Sequence, residues 1–304
     1  MSVPPLFPEF KPVELEDKET IDGFIRRHPS EACEVIFTNI YTWRHYERPT
    51  FTTINGNLCV LSRPRSEPEF FLPPIGMTKI RETIETCLSA SGRLACVPES
   101  FVKSHCAGLR IEEDAENFDY VYRAADLIHL RGKKYDGKRN RIKKFEKSCV
   151  FRYLKLEPEH LPTCRSLFEE WFQSKSGGDG RLGEVQRTAV LDILAHYDPL
   201  GLAGGAVEVE GRVQAFSIGE KLNDDTAVIH LEIADPRFDG LAQFINREFV
   251  KHEWSGLKYV NREQDMGIAG LRRAKMSYYP HHLEKKFIVL VESGLGPGQA
   301  GRAD

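Results

Sequence analysis

The stretch from Met266 to Tyr279 reads as a helix in which Arg272, Lys275 and Tyr279 stand at i, i+3 and i+7 and share one face, with Gly267, Ala269, Gly270 and Ala274 around them. Small residues let a ligand or another backbone come close, and Arg and Lys offer charge-assisted donors to phosphate. The same face also suits tight packing on a sheet with a solvated basic rim. In the strand AVIHLEIAD, His230, Glu232 and Ala234 point one way and Ile229, Leu231 and Ile233 the other. Glu232 is therefore a candidate base for an incoming amine, with His230 on the same side, or else one half of an ordinary ion pair. Asn261, Arg262, Glu263, Gln264 and Asp265 crowd the loop before the helix. Asp265 is positioned to cap that helix and Arg262 to pair internally, while loops at strand ends also host binding groups, which keeps Arg262 and Glu263 as candidates.

A second concentration of charge lies at residues 131–147, RGKKYDGKRNRIKKFEK, where nine Lys or Arg face only Asp136 and Glu146. The chain as a whole carries −3, so this segment is a +7 island on a body of about −10. As a helix it keeps a narrow apolar stripe of Tyr135, Ile142 and Phe145 and exposes Lys138, Arg139, Arg141, Lys143, Lys144 and Lys147. A polyanion such as a tRNA backbone, or an anionic phospholipid surface, is the natural partner. The alternative is a solvated helix linking two domains.

Other chemistries lack their residues. GDGRLG at 178–183 matches GxGxxG but follows a helix, where a dinucleotide site needs a strand. The chain contains no GxxxxGK[ST], HExxH or GxSxG and no EF-hand loop. Seven cysteines form no CxxC, and an odd count suits reduced thiols, so no metal is implied. His281 and His282 are strand neighbours on opposite faces, which argues against joint metal ligation. With 41% hydrophobic and 29% charged residues, the 304-residue chain has a globular composition. It has no run of roughly 18 apolar residues and no signal-like start, so a cytoplasmic protein without a transmembrane segment is expected.

The elements that position these groups follow from periodicity. A helix is expected over residues 30–46, a hairpin about Asn55-Gly56, a rigid turn at FFLPPIG, a helix over 77–92, a strand at 94–98, a short helix near 99–108 and a strand over 119–130. From 149 the pattern reads strand (149–156), two helices (161–175 and 183–197), three antiparallel strands (202–211, 212–222 and 225–234), helix (238–252), strand (256–263), helix (266–279), strand (281–292). The Gly-rich tail 293–304 is expected to be disordered.

That order is similar to a GNAT (N-acetyltransferase) domain, and a looser version occurs in the first half. The expected fold class is α+β: tandem GNAT-like domains at 1–148, including the basic helix 133–147, and at 149–292, each a mixed, mostly antiparallel sheet flanked by helices. FLPPIG at 71–76, LRGKKYDGKRNRIKKF at 130–145 and NREQDMGIAGLRRAKMSYYPHHLEKKF at 261–287 resemble the stand-alone bacterial family similar to the C-terminal domain of phosphatidylglycerol lysyltransferase. This resemblance runs over nearly the whole chain apart from the tail.

The resemblance implies kinship with Fem-type peptidyltransferases and transfer of an aminoacyl group from aminoacyl-tRNA to an amine or hydroxyl acceptor, whether lipid, peptide or small molecule. In GNAT enzymes a tyrosine often protonates the leaving group, which makes Tyr278 and Tyr279 candidate general acids beside Glu232 as candidate base. Arg262, Glu263, Arg272, Lys275, Lys138, Arg139 and Arg141 are the candidate substrate and phosphate ligands. Acetyl-CoA enzymes carry a Gly-rich pyrophosphate loop where this chain reads DPRFDGLAQ with only Gly240, which weakens the alternative of an acetyl-CoA-dependent N-acyltransferase. A third reading is a non-catalytic protein that binds RNA or anionic membrane. No tightly bound cofactor is expected, only aminoacyl-tRNA or acyl-CoA as co-substrate.

Overall fold

The structure, a computed structural model, describes residues 3–174 and 180–291. The first residues of GDGRLG and the tail 293–304 lie outside the described residues. In chain order the strands are β1 (Lys11–Pro12), β2 (Thr50–Ile54), β3 (Asn57–Ser62), β4 (Phe70–Phe71), β5 (Arg93–Pro98), β6 (Arg110–Glu113), β7 (Asp119–Arg123), β8 (Phe151–Lys155), β9 (Ala203–Val209), β10 (Arg212–Lys221), β11 (Thr226–Ala234), β12 (Tyr259–Asn261), β13 (His282–Glu284) and β14 (Lys286–Leu290). They form two seven-stranded mixed sheets, ordered β1-β2-β3-β4-β5-β14-β6 and β13-β7-β12-β11-β10-β9-β8. Helices flank both, as expected for the α+β class.

Contacts divide the chain into one compact unit of Met1–Phe118 with Glu284–Asp304 and another of Asp119–Leu283. The boundary expected after residue 148 therefore falls inside the second unit. β7 pairs antiparallel with β12, placing Val121, Tyr122 and Arg123 opposite Asn261, Val260 and Tyr259. The apolar stripe of the basic helix, Tyr135, Ile142 and Phe145, is buried in one core cluster with Phe244, Ile245 and Phe249. That burial removes the reading of this helix as a solvated linker.

Two expected strands are shorter than the pattern implied. The one begun at 119 stops at Arg123, because Ala124–His129 is a helix whose Leu127 is fully buried and whose end is turned by Leu130 in the left-handed conformation. The strand expected over 281–292 splits at Lys285, with β13 in one sheet and β14 in the other. The helix expected over 30–46 is three short pieces, broken where Ile36 is extended. The Asn55-Gly56 hairpin forms as read, with φ of 52° and 79° at its two turn residues.

In the second unit β9, β10 and β11 meander antiparallel, and the helix Leu241–Glu253 then carries the chain to β12, which lies parallel to β11. This parallel pairing covers only Thr226–Val228 against Tyr259–Asn261. Beyond it the backbones are no longer bonded, and the side chains that follow on both strands are the ones singled out from the sequence.

Candidate functional site

Two ion pairs span the gap between β11 and the loop after β12. Glu232 accepts from Arg262 Nη2 at 3.0 Å and from Asn246 Nδ2 at 2.7 Å. His230 lies between two carboxylates, its Nδ1 2.8 Å from Glu263 and its Nε2 3.1 Å from Glu220. Burial alone would lower its pKa, but the bonds and charges of Glu220 and Glu263 outweigh this and raise it to about 9. Glu232 and His230 do share the polar face of their strand, yet both are committed to partners. The ordinary ion-pair reading holds for them, and Glu232 has no oxygen left without a donor.

The loop after β12 is held from beneath. Lys275 donates to the carbonyls of Arg262, Glu263 and Gln264 at 2.5, 3.0 and 2.6 Å, which uses all three of its N–H groups. The charge of Lys275, expected at a phosphate, here organises three carbonyl dipoles. Asp265 does not cap the helix, which begins at Ala269 after Ile268. It accepts from Arg272 Nε at 2.7 Å, from the Tyr120 hydroxyl at 2.5 Å and from the Gly267 N–H at 2.9 Å. Arg272 foremost, with Tyr120 and Gly267 adding to it against burial, pulls the Asp265 carboxyl down to about 2. The face of Arg272 and Lys275 is accordingly filled by internal acceptors, and these bonds hold Glu263 and Met266 at positive φ.

Open cationic space lies one layer away. A cleft of about 370 Å3 is lined by Lys134, Gly137, Lys138, Arg141, Gln243, Ser277 and Tyr279. Three positive side chains converge there from the segment around the basic helix Asp136–Ser148. Lys138 is half-buried, its Nζ 2.8 Å from the Ser277 hydroxyl and 3.5 Å from the centroid of the Tyr278 ring. Burial first, then Arg262 and Arg141, push its pKa down to about 8. Arg262 stands 4.9 Å from the same ring, and its Nη1 is buried with no partner among the described residues. Tyr279 has left-handed φ, is 45% exposed and meets Tyr135 edge-to-face. Tyr278 is buried, which raises its phenol above the ordinary range.

The expected ligands therefore divide. Arg141 and Lys138 face the cleft, with Tyr279 at its wall. Arg139 turns away to the carbonyls of Leu130 and Gly132 and to Asp136, so it closes the preceding loop instead of contacting a ligand. Arg272, Lys275 and Glu263 serve the loop. Sequence reasoning overlooked Lys134, Gln243, Asn246, Tyr120 and Glu220. The one available signal was Asn246, a polar residue among the buried Leu241, Phe244, Ile245 and Phe249 of an amphipathic helix.

Gly240 has a packing role. It precedes the helix Leu241–Glu253 at φ 96°, and a Cβ there would collide with the carbonyl oxygen of Arg141. Lys144 with Asp239, just before that helix, at 2.8 Å and Arg247 with Glu146 at 2.8 Å fasten this segment to the basic helix. The N-terminus of the helix Leu241–Glu253 is thereby covered by the basic helix.

A second cavity, of about 210 Å3, lies within the first unit between the Pro73–Gly76 turn, the His28–Glu31 loop and the helix Glu99–His105. His230 is hydrogen-bonded on one ring nitrogen to Glu263 and on the other to Glu220, and no metal-ligating cluster occurs around the cleft among the described residues.

Two mixed sheets flanked by helices, with a short parallel pair that opens toward an ionic site, define a tandem GNAT-like protein. Within that class the chain belongs to the family of the phosphatidylglycerol lysyltransferase C-terminal domain, whose sequence model matches residues 25–290. A conserved protein of unknown function from Bacteroides thetaiotaomicron is 28% identical with a TM-score of 0.86, over 93% of this chain and 99% of that one. L-PGS from Bacillus licheniformis shares the fold at 16% identity and a TM-score of 0.61, over 92% and 94% of the two chains. FemX does so at 10% and 0.59, over 93% and 97%. An uncharacterized protein of Mycoplasmoides gallisepticum is 24% identical over 186 residues, which are 60% of this chain and span only 58% of that protein. No helix of the described residues is long and apolar enough to cross a membrane.

Proposed function

We propose that the chain transfers an aminoacyl group from aminoacyl-tRNA to an amine or hydroxyl acceptor. The observation that carries this reading is the cleft where Lys134, Lys138 and Arg141 converge beside Gln243, Ser277 and Tyr279. Such a site suits the phosphates at an RNA terminus, and the exposed Lys143 and Lys147 extend the positive surface along the same helix. The family to which the chain belongs is described by a lysyltransferase, which supports the same chemistry.

An aminoacyl ester is already activated, so catalysis rests on orientation and on stabilising charge at the carbonyl oxygen. Lys134 and Arg141, which line the cleft, are donors suited to that charge. An acyl-CoA donor is less well served. The helix N-terminus after Gly240 is covered by the Arg141 backbone, and the gap beside β11 is bridged by Glu232–Arg262 and His230–Glu263. A ligand arm lying between the strands would have to displace both ion pairs.

The test is a parallel transfer assay with labelled aminoacyl-tRNA pools and labelled acyl-CoA over extracted lipids, peptides and small amines. Lys134 and Arg141 are exposed, so Lys134→Glu/Arg141→Glu is expected to keep the melting temperature while weakening tRNA binding at least tenfold and flattening its salt dependence. Transfer from acyl-CoA alone, or undiminished transfer by the double variant, would reject the assignment.

A further inference from the structure

The three cations of the cleft are not equivalent. Lys134 and Arg141 are exposed, whereas Lys138 is half-buried and held in one position. Its surroundings come from four elements: Arg141 on its own helix, Arg262 on the loop after β12, Glu232 on β11, and Ser277 with Tyr278 at the end of the helix Ala269–Met276. The single carboxylate among them, Glu232, already receives Arg262 and Asn246, so it neutralises Lys138 only in part. The Ser277 hydroxyl itself donates to the Ala274 carbonyl at 2.6 Å and so offers its lone pairs to Lys138. This is the setting in which a lysine carries a usable lone pair near neutral pH while still lining a ligand-sized space. Glu232, the base suggested by the sequence, lacks that freedom.

We propose that Lys138 is the proton acceptor of the transfer reaction, and that it returns the proton to the leaving group. This rests on the transferase reading above. The neutral Lys138 amine takes a proton from the acceptor's N–H or O–H as that atom's lone pair forms a bond to the ester carbonyl carbon. The carbonyl electron pair moves to oxygen, where cleft cations balance it. As the pair returns, the ester C–O bond breaks and the terminal ribose oxygen leaves with its electrons. It takes the proton from the Lys138 ammonium, so Lys138 ends neutral and nothing is oxidised or reduced.

Two measurements on the full chain test this separately from the transferase reading. In the ligand-free protein, competitive labelling with acetic anhydride across pH 6–10, read by peptide mass spectrometry against a short lysine peptide in the same mixture, should give Lys138 a midpoint near 8, the value to which its surroundings lower it, and well below that of the peptide. A Lys138 midpoint matching that of the peptide overturns the proposal, whatever the substrate. In single-turnover transfer from a mixed aminoacyl-tRNA pool to extracted lipids, peptides or small amines, Lys138→Arg keeps the positive charge but cannot titrate in this range. It should bind the pool within about threefold of the parent chain and lose at least a hundredfold in rate. Lys138→Arg transferring at the parent rate overturns the proton role. Weakened binding with an unchanged saturated rate also overturns it, in favour of a simple anion contact. A parent chain that transfers nothing refutes the transferase reading, and the labelling result then still decides whether Lys138 has the required chemistry.

Discussion

At the scale of single residues, the polar face of β11 is built for fixed charge. The pKa of His230 is raised from its ordinary 6.5 to about 9, so the ion pairs with Glu220 and Glu263 contribute their full stability below pH 6.5. That contribution fades as pH rises through 9, and is roughly 2–4 kcal/mol when complete. Urea unfolding is thus expected to show an alkaline loss of stability beginning near pH 7, and His230→Asn should abolish this slope while lowering stability at pH 6. A parent protein with flat stability from pH 6 to 9 would contradict the ion-pair assignment. Lys275→Met leaves three carbonyls without their ammonium and should cost about 2–4 kcal/mol, read as a lower urea midpoint. The sequence showed that His230 and Glu232 share a face, because a period of two is local. It did not show their partners, since Asn246, Arg262 and Glu263 lie 14, 30 and 33 positions away and meet them only through the fold. The partners of Lys275 were hidden for the same reason: helical spacing reports a face, but not that three carbonyls occupy it.

Among the elements, the basic helix decides where ligand space opens. Gly240 lets its backbone approach the start of the helix Leu241–Glu253, and φ of 96° disfavours any side chain there. Gly240→Ala is expected to cost about 2–4 kcal/mol by strain and collision, and to weaken tRNA binding by shifting Lys138 and Arg141. A melting scan with a filter-binding titration checks both, and an unchanged melting temperature would show that the helices are not in close contact. In the first unit Gly76, at φ 146°, sits against Asn57, whose amide spans the Thr78 N–H and carbonyl at 3.0 and 2.6 Å. Gly76→Ala should therefore destabilise the Pro73–Gly76 turn that walls the smaller cavity, which limited proteolysis would reveal. The hairpin, the meander and the apolar stripe of the basic helix were legible because each has a local signature. The short helix after Arg123 was not, since a run such as YVYRAADLIHL satisfies strand and helix patterns alike and packing on Leu127 decides.

At the scale of the whole molecule, domain boundaries read from the order of elements missed an exchange of strands. β7 comes from the first half of the chain and lies in the sheet of the second unit; β14 comes last and lies in the sheet of the first, between β5 and β6. Nothing in a short apolar strand records which sheet it will join. A fragment of residues 119–284 is expected to unfold cooperatively in urea, whereas 149–292, which lacks β7 and the basic helix, should not. Equal cooperativity of the two fragments would count against the division at Asp119. The position of β14 also sets an order of events in the cell. While the ribosome is still translating, β6 has no neighbour to dock on, because among the described residues it is bonded only to β14, which follows it in the chain after the whole of the second unit. The first unit is therefore begun before the second and completed only after it, and a nascent chain arrested before Lys286 would expose a bare sheet edge to chaperones and proteases.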